Sequence, residues 1–211
     1  YIVSQGAAYG KWVFGLAPLN GDLETIKYLV SRGVDITADN NYAVRFVSEN
    51  GHLPVVKYLV ALGADVTADD NYAVRYASQN GHLSVVKYLV ALPRVDIAAC
   101  DNYAVRRASE NGHLEVVKYL VEVAGADFTA DDNYAVRFAS ENGHLETVKY
   151  LVSLGADITA YNNQAIRLAK AKENNHQPVV DYLESLNKPD DFLTLIKQAI
   201  SDNAPLAALA K

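Results

Sequence analysis

Residues 132–160 read DNYAVRFASENGHLETVKYLVSLGADITA, and near copies of that sentence fill 40–68, 70–99 and 101–130. A looser copy fills 162–188. A period of about thirty residues means one small structural unit, stacked many times. No other feature constrains the fold as strongly. The architecture can be argued from one unit. The function can be argued only as a class, because the repeat does not spell out a partner.

Within the unit, Ala135, Val136 and Ala139 follow helical spacing. Asp132 and Asn133 stand just before them and are expected to accept the free N–H groups of the helix start. Asn142-Gly143 is a stop, since glycine takes the left-handed conformation of a helix end without steric cost. Leu145, Val148, Leu151 and Val152 mark a second helix with its own apolar face, and Gly155 ends it. Residues 156–160 connect to the next unit. Two antiparallel helices with one apolar side cannot bury that side alone. They need a neighbouring pair.

These residues resemble the ankyrin repeat. The likeness lies in Asn142-Gly143-His144-Leu145, in Val148-Lys149-Tyr150-Leu151-Val152 and in Gly155-Ala156-Asp157. The first motif recurs at Asn50-Gly51-His52-Leu53, Asn80-Gly81-His82-Leu83 and Asn111-Gly112-His113-Leu114. The resemblance implies an all-α solenoid of stacked antiparallel helix pairs. It also implies a non-catalytic role in binding a partner protein, on the concave face lined by the first helices. Two departures matter. Where the family opens its first helix with Thr-Pro-Leu-His, this chain has Tyr-Ala-Val-Arg, as in Tyr134–Arg137. The period is also shorter than the family's ~33 residues, and the missing residues fall where the family carries a β-hairpin finger, so shortened connector fingers are expected. Short repeats of this DNYA type resemble those of giant viruses of amoebae, which implies a viral protein in the host cytoplasm. A substrate-recruiting adaptor for a ubiquitin ligase follows from the same resemblance.

The repeats make residues 1–211 a single solenoid. Its expected units are 11–39, 40–69, 70–100, 101–131, 132–161 and 162–189, after a partial repeat at 1–10 and before a divergent terminal or capping repeat at 190–211. Tyr1–Ala7 matches Tyr28–Val34, so the chain is expected to open inside a helix and to be a piece of a longer protein. In the first whole unit Trp12, Val13 and Phe14 replace the usual opening, Trp12 as a packing residue, and Asp22 replaces the histidine. Pro93 is expected to stop its helix without glycine, and extra residues near Pro93 and Val123 to bulge their connectors. Lys170–Asn175 should form a protruding turn. The apolar ends near Tyr1 and Lys211 raise a second architecture, self-association through the ends.

Several chemistries are disfavoured. A net charge of −6 opposes a nucleic-acid binder, which needs a basic stripe along the phosphates, and would steer a basic protein partner favourably. No run of about eighteen apolar residues exists to span a membrane. The single cysteine, Cys100, fits a reducing compartment and a cytoplasmic location, and is expected to be an incidental surface thiol. His52, His82, His113, His144 and His176 occupy one slot per unit, about 8–10 Å apart in a helix stack, too far to share a metal ion. They are expected to be hydrogen-bonded turn residues. Ser48/His52 and its copies are the repeat and not a catalytic pair. We expect no enzyme, no cofactor and no metal.

The arginines Arg45, Arg75, Arg106, Arg137 and Arg167 form a ladder. The spacing allows Arg45–Glu49, Arg106–Glu110 and Arg137–Glu141 pairs along one helix, and the ladder is expected to bond between units. Tyr28, Tyr58, Tyr88, Tyr119, Tyr150 and Tyr182 are expected to pack beside the core of the second helices. The slot after each arginine holds Phe46, Tyr76, Arg107, Phe138 and Leu168. A slot that accepts Phe and Arg alike is not sealed in a core. It shares a helix face with Glu49, Gln79, Glu110 and Glu141. Those aromatics and carboxylates are the candidate partner-binding stripe. The connector acids Asp69, Asp70, Asp101, Asp131 and Asp132 form a second candidate edge.

Overall fold

The computed structural model describes residues 21–171 and 176–187. The partial unit at 1–10, Trp12 and the opening of the first unit, the turn around 172–175, the terminal unit 190–211 and both chain ends lie outside the described residues. Eleven helices follow in order among the described ones: α1 Leu23–Ser31, α2 Ala38–Glu49, α3 Leu53–Ala61, α4 Ala68–Gln79, α5 Leu83–Val90, α6 Ala99–Glu110, α7 Leu114–Glu122, α8 Ala130–Glu141, α9 Leu145–Ser153, α10 Ala160–Ala171 and α11 Gln177–Asn187. Even-numbered helices open each unit and odd-numbered ones close it. Successive opening helices pack closely on one another, whereas successive closing helices touch lightly. The opening helices therefore lie on the tighter side of the stack.

The core is one continuous seam. Val44, Val47, Val55, Val56 and Leu59 of one unit are buried, and Val74, Ala77, Val85, Val86 and Leu89 repeat the layer in the next. Leu120, Leu151 and Leu183 continue it. Burying a Val or Leu side chain is worth ~1.5–3 kcal/mol, so a unit on its own is too thin to fold and each layer is completed by its neighbours.

In the units of α2–α3, α6–α7 and α8–α9 both helices end on glycine. After α8, the Gly143 N–H donates to the Ser140 carbonyl and the His144 N–H to the Ala139 carbonyl, at 3.1–3.2 and 2.9 Å in the repeated units. This double bond pattern closes a helix on a left-handed residue, and Gly143 has φ 78°. Gly81 has a second reason to be glycine. A Cβ there would stand 2.6 Å from Nδ1 of His113, so the imidazole of each unit rests on the glycine of the one before.

The expectation of Asp/Asn caps is corrected. In α8 no side-chain cap bond forms at the start. Instead Asp131, Asp132 and Asn133 each take left-handed backbone angles, near φ 55°, 52° and 62°. The same turn of left-handed helix precedes Tyr42, Tyr72, Tyr103 and Gln164. It stands where a β-hairpin finger was to be shortened, and no strand occurs among the described residues. Left-handed geometry costs an L-residue roughly 1–2 kcal/mol, least for Asn and Asp, which is why the second and third residues of all five turns are Asp or Asn.

α5 ends without glycine, as expected, at Val90 ahead of Pro93, and Arg94 takes φ 68° in the glycine slot. Two further expectations are corrected. Tyr28 is 62% exposed, whereas Tyr58, Tyr88, Tyr119, Tyr150 and Tyr182 pack against the core. Among the ladder histidines His82 is hydrogen-bonded as expected, to the Glu49 backbone, but buried Nε2 of His52 has no hydrogen-bond partner among the described residues. The extra residue at Val123 does bulge: Ala126 reaches back to the Leu120 carbonyl at 2.9 Å and Val123 is 67% exposed. In the first unit Asp22, standing in the histidine slot, caps α1 by accepting from the Glu24 and Thr25 N–H groups.

Candidate protein-interaction face

The left-handed turns set the geometry of the opening-helix face. Each is held from both sides. The Asn41 side-chain oxygen accepts from the Asp65 N–H at 2.8 Å, and Asn71, Asn102 and Asn133 do the same for Asp96, Asp127 and Asp157 at 2.9 Å. Asp65 in turn accepts from the Thr67 hydroxyl and N–H, at 2.7 and 2.9 Å. Those two bonds, the hydroxyl first, hold its carboxyl below the usual range.

The arginine ladder closes the turn from the helix side. Arg45 donates from Nε to the Asn40 carbonyl and from Nη2 to the Asp39 carbonyl, both at 3.0 Å. Its Nη1 reaches Asp69 of the next turn at 2.7 Å. Arg106 repeats this, with Asp131 at 2.6 Å. The ladder thus bonds between units at Arg45 and Arg106. The expected pairs along one helix, Arg45–Glu49 and Arg106–Glu110, do not form, because both arginines are turned toward the connectors. Arg137 takes Gln164 instead, with its guanidinium 4.6 Å over the Tyr161 ring.

The glutamates are bonded elsewhere. The Tyr72 hydroxyl donates to Glu49 at 2.8 Å and the Tyr134 hydroxyl to Glu110 at 2.7 Å. Tyr103 does the same to Gln79 at 2.5 Å. Burial first, and then the Glu110 carboxylate accepting its proton, push the Tyr134 phenol up to about 12. Tyr72 is raised for the same reasons in the same order. The side-chain amides of Asn80, Asn111 and Asn142 donate to the backbone carbonyls of Glu49, Gln79 and Glu110 in the preceding unit, at 2.8–2.9 Å.

Phe46, Tyr76, Arg107 and Phe138 are half-buried, and the aromatic ones stack on the tyrosine that opens their own helix. Ring centroids are 5.6 Å apart for Tyr42–Phe46, 3.9 Å for Tyr72–Tyr76 and 4.0 Å for Tyr134–Phe138. Arg107 lies between the Tyr103 and Tyr134 rings and bonds Glu110 at 2.5 Å. Phe46, Glu49, Tyr76, Gln79, Arg107, Glu110, Phe138 and Glu141 therefore line one face in a single row. Asp69, Asp70, Asp101, Asp131 and Asp132 are exposed along its edge. Of these, Asp69 and Asp131 are held by arginine, whereas the carboxylates of Asp70, Asp101 and Asp132 carry no bond among the described residues.

The family model described as ankyrin repeats (3 copies) matches residues 14–101 and again 105–191. The chain belongs to the ankyrin-repeat family. None of the curated proteins compared with it matches. Its role is of the general kind typical of ankyrin-repeat proteins, a non-catalytic one in protein interaction. Among the described residues, no group of three or more His, Cys, Asp or Glu is placed to hold a metal ion, and no helix is long and apolar enough to cross a membrane.

The opening tyrosines Tyr72, Tyr103 and Tyr134 are the residues that sequence reasoning passed over. A signal for them exists. Tyr stands at the head of four successive units, and every Glu or Gln it bonds lies 23–24 residues earlier, one repeat back.

Proposed function

We propose that this ankyrin-repeat chain binds a basic partner protein along the face of its opening helices, through the aromatic row and the acidic edge beside it. One observation carries the proposal. Asp70, Asp101 and Asp132 occupy the middle of three successive left-handed turns, exposed and with carboxylates that carry no bond among the described residues. A carboxylate that the fold does not use is available to a cation, and a row of them steers a basic surface and sets its register. The half-buried rings of Phe46, Tyr76 and Phe138 supply contact area alongside. Glu49 and Glu110 are poor probes of this face, because removing their charge also breaks the tyrosine bonds between units.

The triple substitution Asp70→Asn, Asp101→Asn, Asp132→Asn is the cleaner test. Asparagine already stands in the same turn position at Asn40 and Asn162, so the backbone keeps a residue that tolerates it. Affinity capture with the wild-type chain and the triple variant, read by mass spectrometry across a salt series, should retain a cationic protein on wild type alone. Equal retention on both would overturn the proposal.

A further inference from the structure

Arg75 departs from its sisters in one bond. Its Nε and Nη2 hold the Asp70 and Asp69 carbonyls at 2.8 and 3.0 Å, as Arg45 and Arg106 hold theirs. Two bonds from one planar group fix the direction of the third nitrogen. In Arg45 and Arg106 that nitrogen, Nη1, reaches the carboxylate of the first residue of the next left-handed turn, Asp69 and Asp131. For Arg75 the residue in that position is Cys100. Among the described residues Arg75 makes no ion pair and its Nη1 no hydrogen bond, while its guanidinium lies 5.0 Å over the Tyr103 ring. It is 9% exposed, so a nearly buried cation is aimed at a position where its two sisters find an acid. Cys100 is exposed and free.

We propose that Cys100 is an oxidative modification site whose sulfinate supplies the carboxylate missing from this rung and pairs with Arg75. Cysteine sulfinate has two acceptor oxygens on the atom attached to Cβ, which is the layout of an aspartate. The oxidant is a peroxide. One equivalent of hydrogen peroxide transfers an oxygen to the sulfur, giving the sulfenic acid and water. A second equivalent adds another oxygen, giving the sulfinic acid and a second water, and the acid releases its proton to solvent. The sulfinate is not returned to thiol by ordinary thiol reductants, so the rung, once made, stays. The consequence is a stack whose middle is tightened between α4 and α6 by exposure to peroxide.

The chain suits the experiment, since it has one cysteine and no methionine. Peroxide treatment of the dilute protein should add two oxygens to Cys100 by intact mass and raise the thermal midpoint by about 2 °C, the size expected of one partly exposed ion pair. Cys100→Ser should show no such rise. In the reduced protein Cys100→Asp should melt above Cys100→Asn. Both replacements suit the left-handed backbone, so their difference isolates the pairing with Arg75. With Arg75→Gln that difference and the peroxide effect should both vanish. Should Arg75→Gln fail to fold, the Asp–Asn comparison and its loss at high salt still decide. An oxidised protein that melts no higher than the reduced one would overturn the proposal. So would Asp equal to Asn, or a disulfide-linked dimer as the peroxide product.

Discussion

At the scale of single residues, this repeat runs on bonds that a side chain makes one unit away. Tyr134 and Glu110 show the principle. A phenol bonded to a carboxylate in a partly buried place resists losing its proton, and its midpoint is pushed up to about 12, by burial first and the carboxylate second. The folded value lies above the unfolded value of about 10. The bond's contribution is therefore complete below pH about 10 and is lost as pH rises toward 12. The difference in tyrosinate absorbance between wild type and Tyr134→Phe should show one phenol titrating near pH 12. Glu110→Gln should bring that titration down while leaving it above the ordinary value, because burial remains. An ordinary midpoint in the wild-type protein would show that the bond is absent in solution. The sequence offers the residues of such a pair but not their pairing. Arg45–Glu49 is the nearer partner along the helix, yet the structure sends Arg45 to Asp69 and Glu49 to Tyr72, since the guanidinium is drawn to the bare carbonyls of the left-handed turn.

At the scale of elements, the helix pairs are legible because Val and Leu recur at helical spacing and Asn-Gly marks the stops. The connector is not legible. Asp-Asp-Asn ahead of an apolar run signals a cap in most contexts, and nothing local announces three left-handed residues in a row. What supports them is distant: an arginine five and six residues on, and the next connector's N–H about 24 residues on. Glycine makes a sharper element-level prediction. Gly63 and Gly81 both have positive φ, 95° and 78°, but a Cβ at Gly63 meets nothing within 4 Å whereas one at Gly81 meets His113. Gly63→Ala should cost ~1–2 kcal/mol, the left-handed penalty alone. Gly81→Ala must add displacement of the imidazole and should cost visibly more. Urea unfolding of the two variants gives the comparison, and equal losses would mean that the histidine does not rest on the glycine in solution.

At the scale of the whole molecule, stability in a stacked repeat is close to a sum of unit and junction terms, so the junctions can be ranked. Between α2 and α4 an Arg45–Asp69 ion pair and a charge-assisted Tyr72–Glu49 bond join the units, and Arg106–Asp131 and Tyr134–Glu110 repeat them between α6 and α8. Between α4 and α6 the ion pair is missing and the tyrosine bonds a neutral Gln79. The first loss is worth ~0.2–1 kcal/mol for a partly exposed pair. The second is worth roughly another 1 kcal/mol, the difference between a hydrogen bond to a charged acceptor and one to a neutral acceptor. The core layers on either side are nearly the same Val and Leu set, so they do not compensate. The junction of α8 and α10 lacks both bonds too, since Arg137 meets a neutral Gln164 and that glutamine stands in the tyrosine slot. Within α2–α9, therefore, the stack should open in two blocks, dividing at the connector between α5 and α6. Native-state hydrogen exchange would resolve this. Amides of α2–α5 and of α6–α9 should fall into two groups with separate opening free energies, while the amides bonded across the dividing line, such as that of Asp96, open earliest. One common opening energy across both blocks would mean that the seam of buried Val and Leu, and not the polar rungs, sets cooperativity along the chain.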